Sequence, residues 1–340
     1  MYIRDLAKLN LGLFAYIIHL QVEAYLYSSL YLCTLVMNTI KSFLANAFDR
    51  LIPIYNSPSE VKAIAQALLM DKLAMSQTDL LLTDKDTPLS EDKWASLCAA
   101  ISRLEQNEPL QYILGYAYFL DFKLEVSPSV LIPRPETEEL VHLLTQTVKQ
   151  EYPSTLHTPL RILDIGTGSA CIPIALARLL RKDAVEAIHA IDVSSEALQT
   201  AQKNIDTIEH NIPIKIQEAN LFTLPVIERE EGYDIIVSNP PYIHPKEADE
   251  MSKQVLDWEP TTALFAPSER PTIFYDEIAR LKHKGYLKNK AHIFLEINPL
   301  YAQETLNNMH SIIGENNIHL ADILNDMYGK ERFIHIQIQE

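Results

Sequence analysis

Four consecutive residues, Asn239-Pro240-Pro241-Tyr242, follow the apolar run 233–238, and their types suit a planar nitrogen group. Proline fixes φ, donates no backbone N–H and pushes the residue before it out of the α region. The segment therefore reads as a stiff, extended loop at the end of a strand. The Asn239 side chain carries one acceptor oxygen and one donor NH2. With the Pro240 carbonyl it can accept both hydrogens of an amide or amino group, while Tyr242 supplies a flat face beside them. No residue of the motif is a strong base, and His244, two positions on, reads as a surface residue.

A second set of residues suits a cofactor. Arg161–Ile165 is a buried strand running into Gly166-Thr167-Gly168-Ser169-Ala170, and a helical pattern with Ile174, Ala175, Leu176 and Ala177 follows. Glycines in such a turn let backbone N–H groups approach a ligand at a helix start. Ala170 occupies the third position of the dinucleotide fingerprint, which weighs against a pyrophosphate. The next strand, 187–191, ends at Asp192, where an acid takes ribose hydroxyls. A third ends near Ala219-Asn220-Leu221-Phe222, positioned to cover an adenine, and the fourth ends at Asn239. An acid for a ribose without a pyrophosphate loop points to a nucleoside that lacks phosphates, and S-adenosylmethionine fits that description.

Placing four strand ends on one rim takes a parallel, doubly wound α/β sheet. Strand-like runs at 160–165, 185–191, 212–217, 233–238, 291–297, 318–323 and 332–338 predict seven strands with helices between most of them. Upstream, Ile40, Phe43, Leu44, Ala47, Phe48 and Leu51 share a helical face. Ser57-Pro58-Ser59-Glu60 reads as a helix start with Ser57 as N-cap, Pro58 in the first turn and Glu60 closing a capping box. Ser90 opens a further helix. Tyr116–Val126 predicts a hairpin, and Pro133–Glu138 a stiff turn into the helix of Leu140 and Leu144. The expected organisation is an apolar extension (1–36), a helical substrate-docking domain (37–112), a hairpin linker (113–136) and a seven-stranded Rossmann-like domain (137–340).

The chain has 340 residues, is 47% hydrophobic and carries a formal net charge of −16, a globular composition that lowers the prospect of a duplex nucleic-acid binder. Cys33, Cys98 and Cys171 have neither metal-ligand nor disulfide spacing. They read as core residues of a protein in a reducing cytosol, and no metal site is expected. Leu9–Val36 is long enough to span a bilayer, but Glu23 near its middle opposes insertion. Three readings of residues 1–36 stay open: a dispensable stretch ahead of a start at Met37, an extra packed helix, or a membrane-associated segment.

Taken together, these segments resemble the release factor glutamine methyltransferases, which use S-adenosylmethionine to methylate the glutamine of the Gly-Gly-Gln motif in peptide chain release factors. The similarity covers nearly everything after Met37. It rests on Glu108–Gly115, Leu131-Ile132-Pro133-Arg134-Pro135-Glu136-Thr137-Glu138, Asp164–Ser169, Ser238–Ile243 and Trp258-Glu259-Pro260. The resemblance implies that Gly166, Thr167, Gly168, Ser169 and Ala170 wrap the methionine end of the cofactor, with Asp192 on the ribose and Leu221 beside the adenine. It further implies that Asn239, Pro240, Pro241 and Tyr242 hold the glutamine, that Asn239 also adjoins the cofactor, and that Asn239 and Pro240 carry catalysis. Arg134 and Glu136 shape the hinge and the peptide channel. Ala170 departs from an expected glycine, Asn220 from a common acid, Leu221 from a common aromatic, and Asn298 from the glycine usual after Glu296-Ile297. The expected setting is the cytoplasm, with release factors as partners and no stable nucleic acid. Alternatives are an amino methyltransferase acting on a nucleic-acid base, and a non-catalytic cofactor-binding or membrane-tethered protein.

Overall fold

The structure, a computed structural model, describes residues 38–152, 159–227, 232–267 and 270–340. The expectations for residues 1–36, and for Cys33 within them, lie outside the described residues. The chain divides into two compact units between Leu110 and Gln111, two residues before the boundary expected from sequence.

The first unit is helical: α1 (Ile40–Tyr55), α2 (Pro58–Leu73), α3 (Gln77–Leu82) and α4 (Glu91–Leu104). Ile40, Phe43, Ala47 and Leu51 are the buried stripe of α1, spaced at three and four residues. Phe48, predicted on that face, is 40% exposed, so the stripe is narrower than expected. Ser57 caps α2 by accepting from the Glu60 N–H at 3.3 Å, with Pro58 as first residue. The Glu60 carboxylate does not accept from the Ser57 N–H in return, so only half of the predicted box forms. Ser90 caps α4.

After α5 (Leu110–Leu114), β1 (Tyr116–Phe119) and β2 (Phe122–Glu125) form the antiparallel hairpin. Asn204 holds it in place, accepting from the Glu125 N–H and donating to the Glu125 carbonyl. Next come α6 (Pro135–Glu151), β3 (Leu160–Ile165), α7 (Cys171–Leu179), β4 (Val185–Asp192), α8 (Ser195–Thr207), β5 (Ile214–Glu218) and β6 (Tyr233–Ser238). Short α9 (Lys253–Trp258) and α10 (Thr261–Leu264) lead to α11 (Ile273–Arg280), β7 (Leu287–Glu296), α12 (Ala302–Ile313), β8 (Ile318–Asn325) and β9 (Glu331–Ile338).

The seven strands form one sheet in the order β5-β4-β3-β6-β7-β9-β8. All run parallel except β9, which is antiparallel to both of its neighbours. The link 326–330 is too short for a parallel crossover and forces a hairpin. One sheet face packs against α6 and α7 through Leu140, Leu144, Ile174 and Leu176. The other packs against α11 and α12 through Tyr275, Ile278, Met309 and Ile313. From β3 the chain winds outward through β4 and β5, then returns to β6 on the other side. The strand order thus reverses between β3 and β6, and ligands of open α/β sheets bind at such a crevice. There Ile165 pairs with Ser238, which sets Gly166 and Asn239 side by side. The Ser238 hydroxyl donates to the Ile165 carbonyl at 2.7 Å and locks that register.

Candidate active site

The carboxyl ends of β3, β4, β5 and β6 open onto a cavity of about 360 Å3. Gly166, Thr167, Gly168 and Ser169 line it from β3, Asp192 from β4, Leu221 from beyond β5, and Asn239, Pro240 and Pro241 from beyond β6. The topology therefore brings residues far apart in sequence to one wall.

Gly166 (φ +75°) and Gly168 (φ +53°) both adopt the left-handed region, and a Cβ at either would meet nothing within 4 Å. Conformation rather than space calls for glycine there. Ala170 is left-handed too (φ +64°). Its placement differs from expectation: it does not line the cavity, and it is fully buried in the core beside Ile172 and Ile174. Its backbone turns the chain into α7, and its methyl group points into packing.

Asp192 was expected to take ribose hydroxyls. Here its Oδ2 accepts from the Gly168 N–H at 2.9 Å and its Oδ1 from the Ser194 N–H at 3.0 Å. The carboxylate thus clasps the glycine turn to the end of β4. A carboxylate has about four lone-pair sites, so acceptor capacity remains for hydroxyls. Leu221 is buried in the cavity wall. Phe222, in the segment expected to cover an adenine, meets Phe274 of α11 edge-on with centroids 5.2 Å apart, and both line the cavity; Phe274 is the residue that sequence reasoning missed. Cys171, read as a core residue, also lines the cavity, and burial pushes its thiol up to about 12.

Two buried polar groups at the glycine turn have no hydrogen bond of ordinary geometry among the described residues, although the Thr167 hydroxyl lies near enough to the Asp164 carboxyl to lower its pKa. Neither carboxyl oxygen of Asp164 makes one, nor does the cavity-lining Thr167 hydroxyl. Burial pushes Asp164 up to about 7. Orphaned polar atoms next to a cavity are suited to a polar ligand. An amino-acid arm can meet the Thr167 hydroxyl and the N–H groups of the glycine turn, a ribose can meet Asp192, and a flat base can meet Leu221, Phe222 and Phe274. The residues present fit S-adenosylmethionine.

At the end of β6, Asn239 Nδ2 donates to Thr137 Oγ1 at 3.1 Å. Thr137 in turn donates to Glu296 Oε2 at 2.8 Å, and the Tyr242 hydroxyl donates to Glu296 Oε1 at 3.1 Å. Tyr242 is not among the residues lining the cavity. Its ring was expected as an open platform; its hydroxyl is instead tethered to the buried Glu296. Among the described residues no donor reaches Asn239 Oδ1 or the Pro240 carbonyl. Arg134 lines the cavity and pairs with Glu259 at 2.6 Å, while Glu259 also accepts from the Ile132 N–H at 3.3 Å. His244 caps a short turn, accepting from the Lys246 N–H, and takes no part in these contacts.

Glu296, Thr137 and Glu259 are functional candidates that the sequence did not single out by role. Nothing in the local pattern marks Glu296, since its partners lie far away in the chain. A buried acid at the end of the interior strand β7 is the available signal.

Comparison with known proteins gives a consistent picture. Residues 43–115 match the family described as the PrmC N-terminal domain, and residues 141–257 match the methyltransferase small domain. A release factor glutamine methyltransferase of Bacteroides thetaiotaomicron is 39% identical over 298 residues, covering 88% of this chain and 99% of that protein. The same-named protein of Flavobacterium psychrophilum is 33% identical, covering 88% of this chain and 99% of its own length. A solved structure of a release factor-specific protein-(glutamine-N5) methyltransferase from Alicyclobacillus acidocaldarius is 25% identical. It covers 64% of this chain and 100% of its own, with a TM-score of 0.37.

Proposed function

The chain belongs to the release factor glutamine methyltransferase family, and from that premise we propose that it methylates the glutamine of the Gly-Gly-Gln motif in peptide chain release factors. It is an S-adenosylmethionine-dependent protein-glutamine N5-methyltransferase. We assign the cytoplasm as its setting; among the described residues no helix is long and apolar enough to cross a membrane.

One observation carries the substrate reading. At the switch point, two acceptors with no partner among the described residues, Asn239 Oδ1 and the Pro240 carbonyl, belong to cavity-lining residues at the end of β6, beside the glycine turn. A primary amide has two N–H donors, and the pair accepts both. The nitrogen of an amide is a poor nucleophile because its lone pair is delocalised into the carbonyl. Hydrogen bonds from its N–H groups to Asn239 and Pro240 raise electron density on nitrogen and fix its direction.

S-adenosylmethionine, when bound, supplies an electrophilic sulfonium methyl group. The chain's own residues then have mainly positioning work. Gly166 to Ser169 and Asp192 hold the cofactor arm and ribose, Leu221 lies beside the base, and Asn239 adjoins both ligands. Pro240 and Pro241 stiffen the loop so that the amide is not free to rotate away. Tyr242 anchors the loop's far end from behind. No base is required within the motif, since a methylated amide nitrogen is strongly acidic and gives its proton up readily, through Asn239 Oδ1 or to water.

Incubation with methyl-labelled S-adenosylmethionine and a purified release factor tests the reading. Label should enter the release factor, and replacing the motif glutamine by alanine should abolish incorporation. Label entering nucleic acid in place of the release factor would move the base-methylating alternative forward.

A further inference from the structure

We infer that Glu296 is a positioning residue for methyl transfer: by accepting from Thr137 and Tyr242 it fixes both ends of the Asn239–Tyr242 loop and turns the Asn239 amide oxygen toward the substrate. The inference rests on the substrate reading above and adds the means by which the motif is oriented.

The hydrogen-bond directions follow from counting protons. An ionised carboxylate accepts only. The single Thr137 hydroxyl proton therefore goes to Glu296 Oε2, at 2.8 Å, and leaves only lone pairs facing Asn239. The Asn239 group at 3.1 Å from Thr137 Oγ1 must then be its NH2, so Oδ1 points away from Thr137. Without this chain, the amide could turn over and present two donors to a substrate that also offers donors. Tyr242 contributes its own proton at 3.1 Å, and burial pushes its hydroxyl up, so it remains a donor. The Tyr275 hydroxyl, donating to the Glu296 carbonyl at 3.1 Å, pins the backbone beneath.

Glu296 is only 1% exposed, and an ion held there is costly. Burial pushes its carboxyl up to about 7, opposed by the hydroxyls of Thr137 and Tyr242. Glu136 of α6 raises it further, and Arg332 of β9 lowers it. Cys171 of α7 and Tyr275 of α11 are further titratable neighbours among the described residues, and burial keeps both neutral. Protonation of Glu296 would free the Thr137 hydroxyl to reverse. The ordered chain is therefore present above the carboxyl's pKa and lost as pH falls through it.

The test uses the full-length enzyme with a release factor as substrate. Thr137→Val removes the hydroxyl at nearly constant shape, and Thr137→Ser keeps it. Thr137→Val should lower kcat about 10- to 100-fold with cofactor affinity near that of wild type and a fall in melting temperature of a few degrees for the stranded buried groups, and Thr137→Ser should recover most of both losses. Wild-type kcat should show an acid limb near neutral pH that Glu296→Gln removes. Wild-type turnover in Thr137→Val, or an acid limb that persists in Glu296→Gln and so belongs to Asp164, overturns the inference. Wild-type turnover on the release factor reports separately on the substrate reading. A readout independent of substrate is the Asn239 side-chain amide in a nitrogen-edited NMR spectrum. Its exchange with water should be slow in wild type and in Thr137→Ser, and fast in Thr137→Val; equal rates in all three would also overturn the inference.

Discussion

Arg134→Ala probes how the segment that leads into α6 is held against the cavity. The Arg134 guanidinium lies 2.6 Å from Glu259 Oε1, with side-chain exposures of 31% and 2% respectively. Truncation leaves the buried Glu259 carboxylate with the Ile132 N–H, at 3.3 Å, as its remaining partner. Removing one partner of a buried pair costs about 3–5 kcal/mol. Arg134 is nearly a third exposed, so water partly replaces it, and about 2–3 kcal/mol is the reasoned loss. For a unit of this size each kcal/mol lowers the melting temperature by about 2–4 °C, which predicts a fall of about 5–10 °C. Adding Glu259→Gln to Arg134→Ala removes the stranded charge and should restore at least half of the loss. Thermal and urea unfolding of the single and double variants, with cofactor titration alongside, measure both effects. A single variant within 0.5 kcal/mol of wild type, roughly the scatter of surface substitutions, would refute the reasoning. So would a double variant no more stable than the single.

Asn239→Ala should bind S-adenosylmethionine nearly as well as wild type while transfer falls about 100- to 1000-fold, the scale of losing one preorganised partner, in calorimetric and turnover assays. Ala170→Gly should be almost neutral in melting and in cofactor affinity. Relief of left-handed strain, about 1–2 kcal/mol, is offset by a lost buried methyl group, about 0.8 kcal/mol, and by added freedom of the unfolded chain, about 0.4–1 kcal/mol. His292 and His335, linked at 2.9 Å, are both lowered to about 4, by burial in each case. Their folded values lie below the usual 6.5, so their stability contribution is present above pH 6.5 and lost as pH falls through 4. Melting temperature against pH should show that acid loss, and replacing both residues by glutamine should flatten it.

Much of the fold was legible because each element carries a local signal. The seven apolar runs, the glycine turn at 166–168 and the serine caps at Ser57 and Ser90 depend on neighbours within a few residues. The β7 strand begins at Leu287, earlier than its apolar run, because Lys288, Asn289 and Lys290 break the pattern before the buried stretch begins. The sheet was expected to be parallel, and β9 departs from that, although the short link after β8 contains the information. What the sequence could not supply were contacts across the fold. Thr137 and Glu296 meet although 159 residues separate them. Phe274 reaches the cavity from α11, and Ala170 turns inward to the core. Asp192 was expected at the ribose, and its clasp on Gly168 became visible only once β3 and β4 were placed in register.

The most direct test of the account is mass spectrometry of a purified release factor after incubation with this enzyme and S-adenosylmethionine, with fragmentation of the peptide that carries Gly-Gly-Gln. The account predicts a gain of one CH2 group on the motif glutamine, dependent on Asn239. An unmodified glutamine beside an enzyme that binds S-adenosylmethionine, or a methyl group on another residue, would contradict it.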